Sequence, residues 1–90
     1  MIEVEWDDLA DVLYVGPSSC IASSRESPSD YGMIFDLDGR GHVVALRLLG
    51  VSELSRSWWG SHPDVDMVPS DLRIAVDAWL AEHARDSLPA

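Results

Sequence analysis

The chain has 90 residues, 47% of them hydrophobic, and a formal net charge of −10 from sixteen acidic side chains against six arginines and no lysine. That length suits one domain with one modest core, the apolar content argues against a disordered chain, and no apolar run approaches the ~20 residues of a membrane span. The charge disfavours direct binding to nucleic acid or an anionic membrane; it serves solubility or draws a basic partner.

In chain order, Ile2, Val4 and Trp6 alternate with Glu3 and Glu5, which predicts a half-buried strand. Asp7 to Ala10 breaks the alternation as a turn. Asp11 to Val15 is a second strand, with Leu13 and Val15 on its inner face and Val12 and Tyr14 on the other. After the breaker Gly16-Pro17-Ser18-Ser19, a short edge strand is expected over Cys20–Ser24, then a loop over Ser27–Asp30. Tyr31 to Asp38 and His42 to Val51 read as an antiparallel hairpin around Asp38-Gly39-Arg40-Gly41, where glycine supplies the positive φ of a tight turn. Both hairpin faces are apolar, so a helix is expected over one and a second subunit over the other. The stretch 52–69 is irregular and holds Trp58-Trp59 and Pro63. From Ser70, the predicted N-cap, the period becomes helical. Leu72, Val76, Trp79 and His83 form a stripe widened by Ala75 and Leu80, and Arg73 can pair with Asp77. Trp79 is read as core.

Two blocks resemble a known family. Val4-Glu5-Trp6-Asp7-Asp8-Leu9-Ala10-Asp11-Val12-Leu13-Tyr14-Val15 is similar to the opening of the bacterial YuzE-like family of small uncharacterised domains. Gly32-Met33-Ile34-Phe35-Asp36-Leu37-Asp38, followed by Gly41 to Leu49, is similar to its second half. Here Ala45 stands where that family usually has Gly, and Arg47 where an acid is common. The resemblance spans about residues 3–54 and rests on the order and spacing of the blocks. It implies a small sheet-rich α+β domain of bacterial or phage origin and no defined activity. It also carries a hint of an antitoxin role.

Several constellations have a chemical and a plain reading. Asp36-Leu37-Asp38-Gly39 opens like a calcium loop, but the twelfth position, which needs a bidentate Glu, is Arg47. His62, Asp64 and Asp66 would share one side of an extended chain, yet no second His or Cys cluster completes a metal site, so a solvated loop is expected. Cys20 lacks the context of a catalytic thiol and is read as structural; as the sole cysteine it excludes an internal disulfide and fits a reducing cytosol. The opening residues have neither the positive nor the apolar region of a signal peptide, so a cytoplasmic location is expected. The acids pair at Asp7-Asp8, at Asp36 and Asp38, and at Asp64 and Asp66, but one small core leaves little room for a catalytic cleft. Adjacent Trp58 and Trp59 cannot both face one core: either at least one is partly exposed or covered by another chain, as a binding anchor, or one packs on the sheet and the other on the C-terminal helix.

The sequence thus predicts an α+β domain: a four- or five-stranded antiparallel, meander-like sheet packed against one C-terminal helix. Residues 1–54 form the sheet core, 55–69 a Trp-containing loop and 70–86 the helix. The expected function is a non-enzymatic acidic interaction module, antitoxin-like or inhibitor-like, that masks a basic protein. Trp58, Trp59, Asp64 and Asp66 would form its surface. It is expected to be a homodimer, with no cofactor, metal or catalytic residue. The alternatives are a phage-type inhibitor that mimics nucleic acid, an orphan homodimer, and a small metal-dependent enzyme.

Overall fold

The computed structural model describes residues 2–17, 21–28 and 32–84. β1 (Glu3–Asp7) and β2 (Val12–Gly16) form the first hairpin. Asp7 closes its turn by accepting the N–H groups of Leu9 and Ala10 at 3.1 Å each. Asp11 then turns through the left-handed region, φ 54°, which Asp tolerates better than most residues and which its bonds to Trp6 and Ser52 hold in place. β3 (Ser23–Glu26), β4 (Met33–Leu37) and β5 (Val43–Leu49) are a three-stranded antiparallel unit. In the β4–β5 turn, Asp38 Oδ1 accepts the N–H groups of Arg40 and His42 at 2.9 Å, and Gly41 has φ 83°. Val44 is an extra residue in β5, because the register steps from Asp36↔Ala45 to Leu37↔Val43.

The two units join where β2 pairs with β5, giving the strand order β1-β2-β5-β4-β3. The expected five-stranded antiparallel sheet is present, although it is not one continuous meander. The strand character explains the order. β5 carries apolar residues on both faces and lies at the centre, whereas β1 and β3 are charged or polar and lie at the edges. The edge strand anticipated at Cys20–Ser24 runs instead over Ser23–Glu26, and Cys20 lies outside the described residues.

The register places Val4, Trp6, Leu13, Val15, Met33, Phe35, Leu46 and Leu48 on one face. Against it packs α2 (Ser70–His83) through Leu72, Val76 and Leu80. Val51, Trp59, Val68 and Ala84 complete the core. Pro69, not Ser70, is the N-cap: its carbonyl accepts from Arg73 N–H at 3.0 Å. No side chain caps the helix, and Asp71 Oδ1 accepts from Leu72 N–H at 2.9 Å. The helix ends at His83, and residues 85 and 86 of the anticipated span lie outside the described residues. The buried stripe is Leu72, Val76 and Leu80, so Trp79 sits half-buried at its margin and His83 is exposed. Arg73 reaches Asp66 at 3.8 Å and the Val68 carbonyl at 3.5 Å instead of pairing with Asp77.

Candidate functional site

The anticipated interaction residues lie in the segment after β5. Gly50, φ 64°, turns the chain into a 3-10 turn at Val51–Glu53. The one-turn helix α1 (Arg56–Gly60) follows, its N-terminus capped by Ser55 Oγ, which accepts from Trp58 N–H at 2.9 Å. Trp58 and Trp59 stack at 6.4 Å and 29°. Trp59 points into the core, 1% exposed, while Trp58 is half-buried. His62 meets the edge of Trp58 at 5.0 Å and accepts from Asp64 N–H at Nδ1, 2.9 Å. A neutral ring in that bond carries its proton on Nε2.

Asp64 is 7% exposed and accepts from the buried Ser27 hydroxyl at 2.7 Å. The contact ties the segment after β3 to the segment before α2, so the solvated loop expected at His62–Asp66 is instead buried at His62 and Asp64. Asp66 projects outward, its side chain 93% exposed. The four anticipated residues therefore do not make one patch: Trp59 and Asp64 turn inward, and Trp58 and Asp66 stay accessible. His62, Asp64 and Asp66 do not converge, and no group of three His, Cys, Asp or Glu among the described residues could hold a metal ion.

A second aromatic cluster lies at the β1 edge. Trp6 contacts Trp79 edge-on at 5.6 Å and 67°, and His83 stacks flat on Trp79 at 4.1 Å and 10°. Trp6 remains 45% exposed and Val4 42%. Beside them, Val4, Ala75, Ala78, Trp79 and Glu82 line an open cleft of about 250 Å³. On the opposite face of β1 project Glu3, Glu5 and Asp7. Asp11 braces this corner. It accepts from Trp6 Nε1 at 3.3 Å and from the Ser52 hydroxyl at 2.6 Å, and its carbonyl takes Gly50 N–H at 2.8 Å. The Ser52 hydroxyl, more than any other contact, holds the Asp11 carboxyl below its usual range. Alternation and helical spacing point Trp6 and Trp79 towards a core, but neither shows that β1 is an edge strand.

The face of the sheet away from α2 carries a polar cluster. Asp36, buried, accepts from Arg47 at 2.9 Å and from Ser24 Oγ at 2.6 Å, while Arg47 also donates to Ser24 at 3.1 Å. Arg47, where the resemblance would place an acid, is thus the counter-charge of a buried carboxylate. Tyr14 lies beside Arg47 in the register and donates to the Pro17 carbonyl. Burial is the main cause that pushes its phenol above the ordinary range. The cluster is internally neutralised and binds three strands together.

Compared with known proteins, the chain matches no family model, no curated protein and no solved structure. Among the described residues, no helix is long and apolar enough to cross a membrane.

Proposed function

We propose that this protein is a non-enzymatic, acidic interaction module that masks a basic protein in the cytoplasm, in the manner of an antitoxin or inhibitor. The observation that carries this reading is the Trp6–Trp79–His83 cluster, with Trp6 and His83 exposed, at the edge strand β1, whose opposite face bears Glu3, Glu5 and Asp7. An aromatic platform next to like-signed charge is the usual make-up of a surface that steers a partner by charge and holds it by apolar contact. Five acids, Glu3, Glu5, Asp7, Asp8 and Asp11, lie on β1 and the turn that follows it, with no arginine among them. Trp58 and Asp66 remain accessible as secondary contacts, whereas Trp59 and Asp64 act through the fold.

The YuzE-like kinship belongs to the same proposal. Its two blocks fold as β1–β2 and β4–β5, which adjoin through the β2–β5 pairing. A second reading, self-association through the sheet face away from α2, is favoured by the half-buried Val12 and Ile34 and the exposed Leu49 on that face.

The test is affinity purification of the tagged protein after nuclease treatment, across a salt series. A small basic protein retained stoichiometrically at low salt and released at high salt supports the masking role. A complex indifferent to salt, or no partner, overturns it. Sedimentation at tens of micromolar decides the second reading: a monomer there removes the homodimer.

A further inference from the structure

The hydrogen bonding of β1 follows from that of β5 and β2. Leu49 N–H bonds to the Gly32 carbonyl at 2.7 Å, on the β4 side. In an antiparallel ladder, successive residues direct their main-chain groups to opposite sides. Leu46 and Leu48 therefore bond towards β2, where they face Val15 and Leu13. Val12, Tyr14 and Gly16 then bond towards β1, facing Asp7, Glu5 and Glu3. The remaining residues of β1, Val4 and Trp6, direct their N–H and C=O groups outward at the edge of the sheet. Their side chains lie on the α2 side, next to the cleft of Ala75, Ala78, Trp79 and Glu82.

We propose that this edge accepts one extended segment of a basic protein as an added antiparallel strand. The proposal rests on the masking role and specifies its mode. Main-chain bonds to Val4 and Trp6 would supply the pairing. Alternate side chains of the incoming strand would then meet two different environments. Those on the α2 side enter the apolar cleft and lie against Trp6, which suits Val, Ile or Leu. Those on the other side lie across from Glu3, Glu5 and Asp7, which suits Lys or Arg, because opposite charges in facing positions stabilise and like charges destabilise. The recognised pattern is therefore alternating basic and aliphatic residues over about five positions. The same charges disfavour a second copy at this edge, since two β1 strands would oppose Glu3, Glu5 and Asp7 to one another.

The probe is a capped Lys-Val-Lys-Val-Lys-Val-Lys peptide, compared with its Glu-for-Lys counterpart and with a form N-methylated on the bonds that face β1. Binding is followed by anisotropy, and the amide exchange of the protein by NMR. The Lys peptide is expected to bind and to weaken at least ~10-fold between ~50 and ~300 mM salt. N-methylation and the Glu peptide are each expected to abolish binding. The amides of Val4 and Trp6 should slow at least ~10-fold on binding, and that of Glu5, already paired with Tyr14, should not. The double charge reversal Glu3→Lys with Glu5→Lys, its fold checked by circular dichroism, should weaken binding at least ~10-fold.

Binding that survives N-methylation, unchanged exchange at Val4 and Trp6, or no binding at all overturns the strand-addition mode. The two readings separate cleanly. A basic partner captured equally by the doubly reversed variant refutes the β1 edge and leaves the masking role intact. Peptide addition at β1 with no basic partner in the salt series supports the edge and refutes the masking role.

Discussion

Asp11 combines an unusual backbone conformation with several hydrogen bonds at one position. It adopts φ 54°, accepts from Trp6 and Ser52, and offers its carbonyl to Gly50 and Val51. Because the Ser52 hydroxyl lowers its folded pKa below the usual 3.8, its contribution is complete above that value and drains away as pH falls through the lower folded value. Asp38 behaves likewise, held down first by the N–H of His42 and then by that of Arg40. Urea midpoints should therefore fall as the pH drops from ~5 to ~2, with a shallower decline in Asp11→Asn than in the wild type. Equal slopes would show that Asp11 takes no part in the acid response. Gly16 makes a sharper demand. Its φ is +148°, and an added Cβ would stand 2.3 Å from Ala45 Cβ. Gly16→Ala should cost on the order of 3 kcal/mol in urea unfolding. Adding Ala45→Gly should recover only part of that loss, because the Ala45 Cα at 2.8 Å and the Val44 carbonyl at 3.1 Å would still crowd the new Cβ and the strain in φ would remain. Trp59 is a residue of a different kind. Its truncation to Ala should cost about 4 kcal/mol, a large share of the stability of a small domain. It therefore reports on folding, and Trp6 is the better probe of binding.

At the scale of elements, the helix shows how a burial pattern distributes energy. Leu80 is fully buried and Ile74 is 67% exposed on the same helix. Leu80→Ala should destabilise by about 3 kcal/mol, and Ile74→Ala by no more than about 0.5 kcal/mol, measured by denaturant titration. Comparable losses at both sites would mean that α2 docks through a different face. The same comparison explains what was legible in the sequence. The β4–β5 hairpin was readable because Asp38-Gly39-Arg40-Gly41 is local chemistry: one carboxylate closes the turn and one glycine supplies φ 83°. The helix was readable from its period, although Trp79 and Leu80 are neighbours in sequence and spacing alone left both on the widened stripe. The insertion of β5 beside β2 was not readable, since pairing across more than 30 residues leaves no local trace. That one unknown hid the edge position of β1, and with it the exposure of Trp6 and the cleft beside Trp79. The inward turn of Asp64 was hidden for a similar reason, because its partner Ser27 is 37 residues away.

At the scale of the whole molecule, one charge distribution acts on two equilibria with opposite sign. A net charge of −10 on 90 residues opposes compaction, because the unfolded chain spreads the same carboxylates further apart. Added salt screens that repulsion within a Debye length of ~10 Å at 0.1 M. Thermal unfolding should therefore shift upward by a few degrees between ~20 mM and ~300 mM sodium chloride. The ion pair of Asp36 and Arg47 will not reverse that shift, since a buried carboxylate is screened little. Association with a basic strand should move the other way over the same interval, because its attraction acts between exposed charges. Calorimetric melting of the free protein and anisotropy of the peptide complex, run in matched buffers, measure the two trends together. If both rose with salt, apolar contact at Trp6 and the cleft would dominate recognition and the carboxylates of β1 would only keep its edge from self-pairing. If the fold gained stability while the complex lost it, the same acidic side chains would be shown to trade folding stability for attraction of a partner.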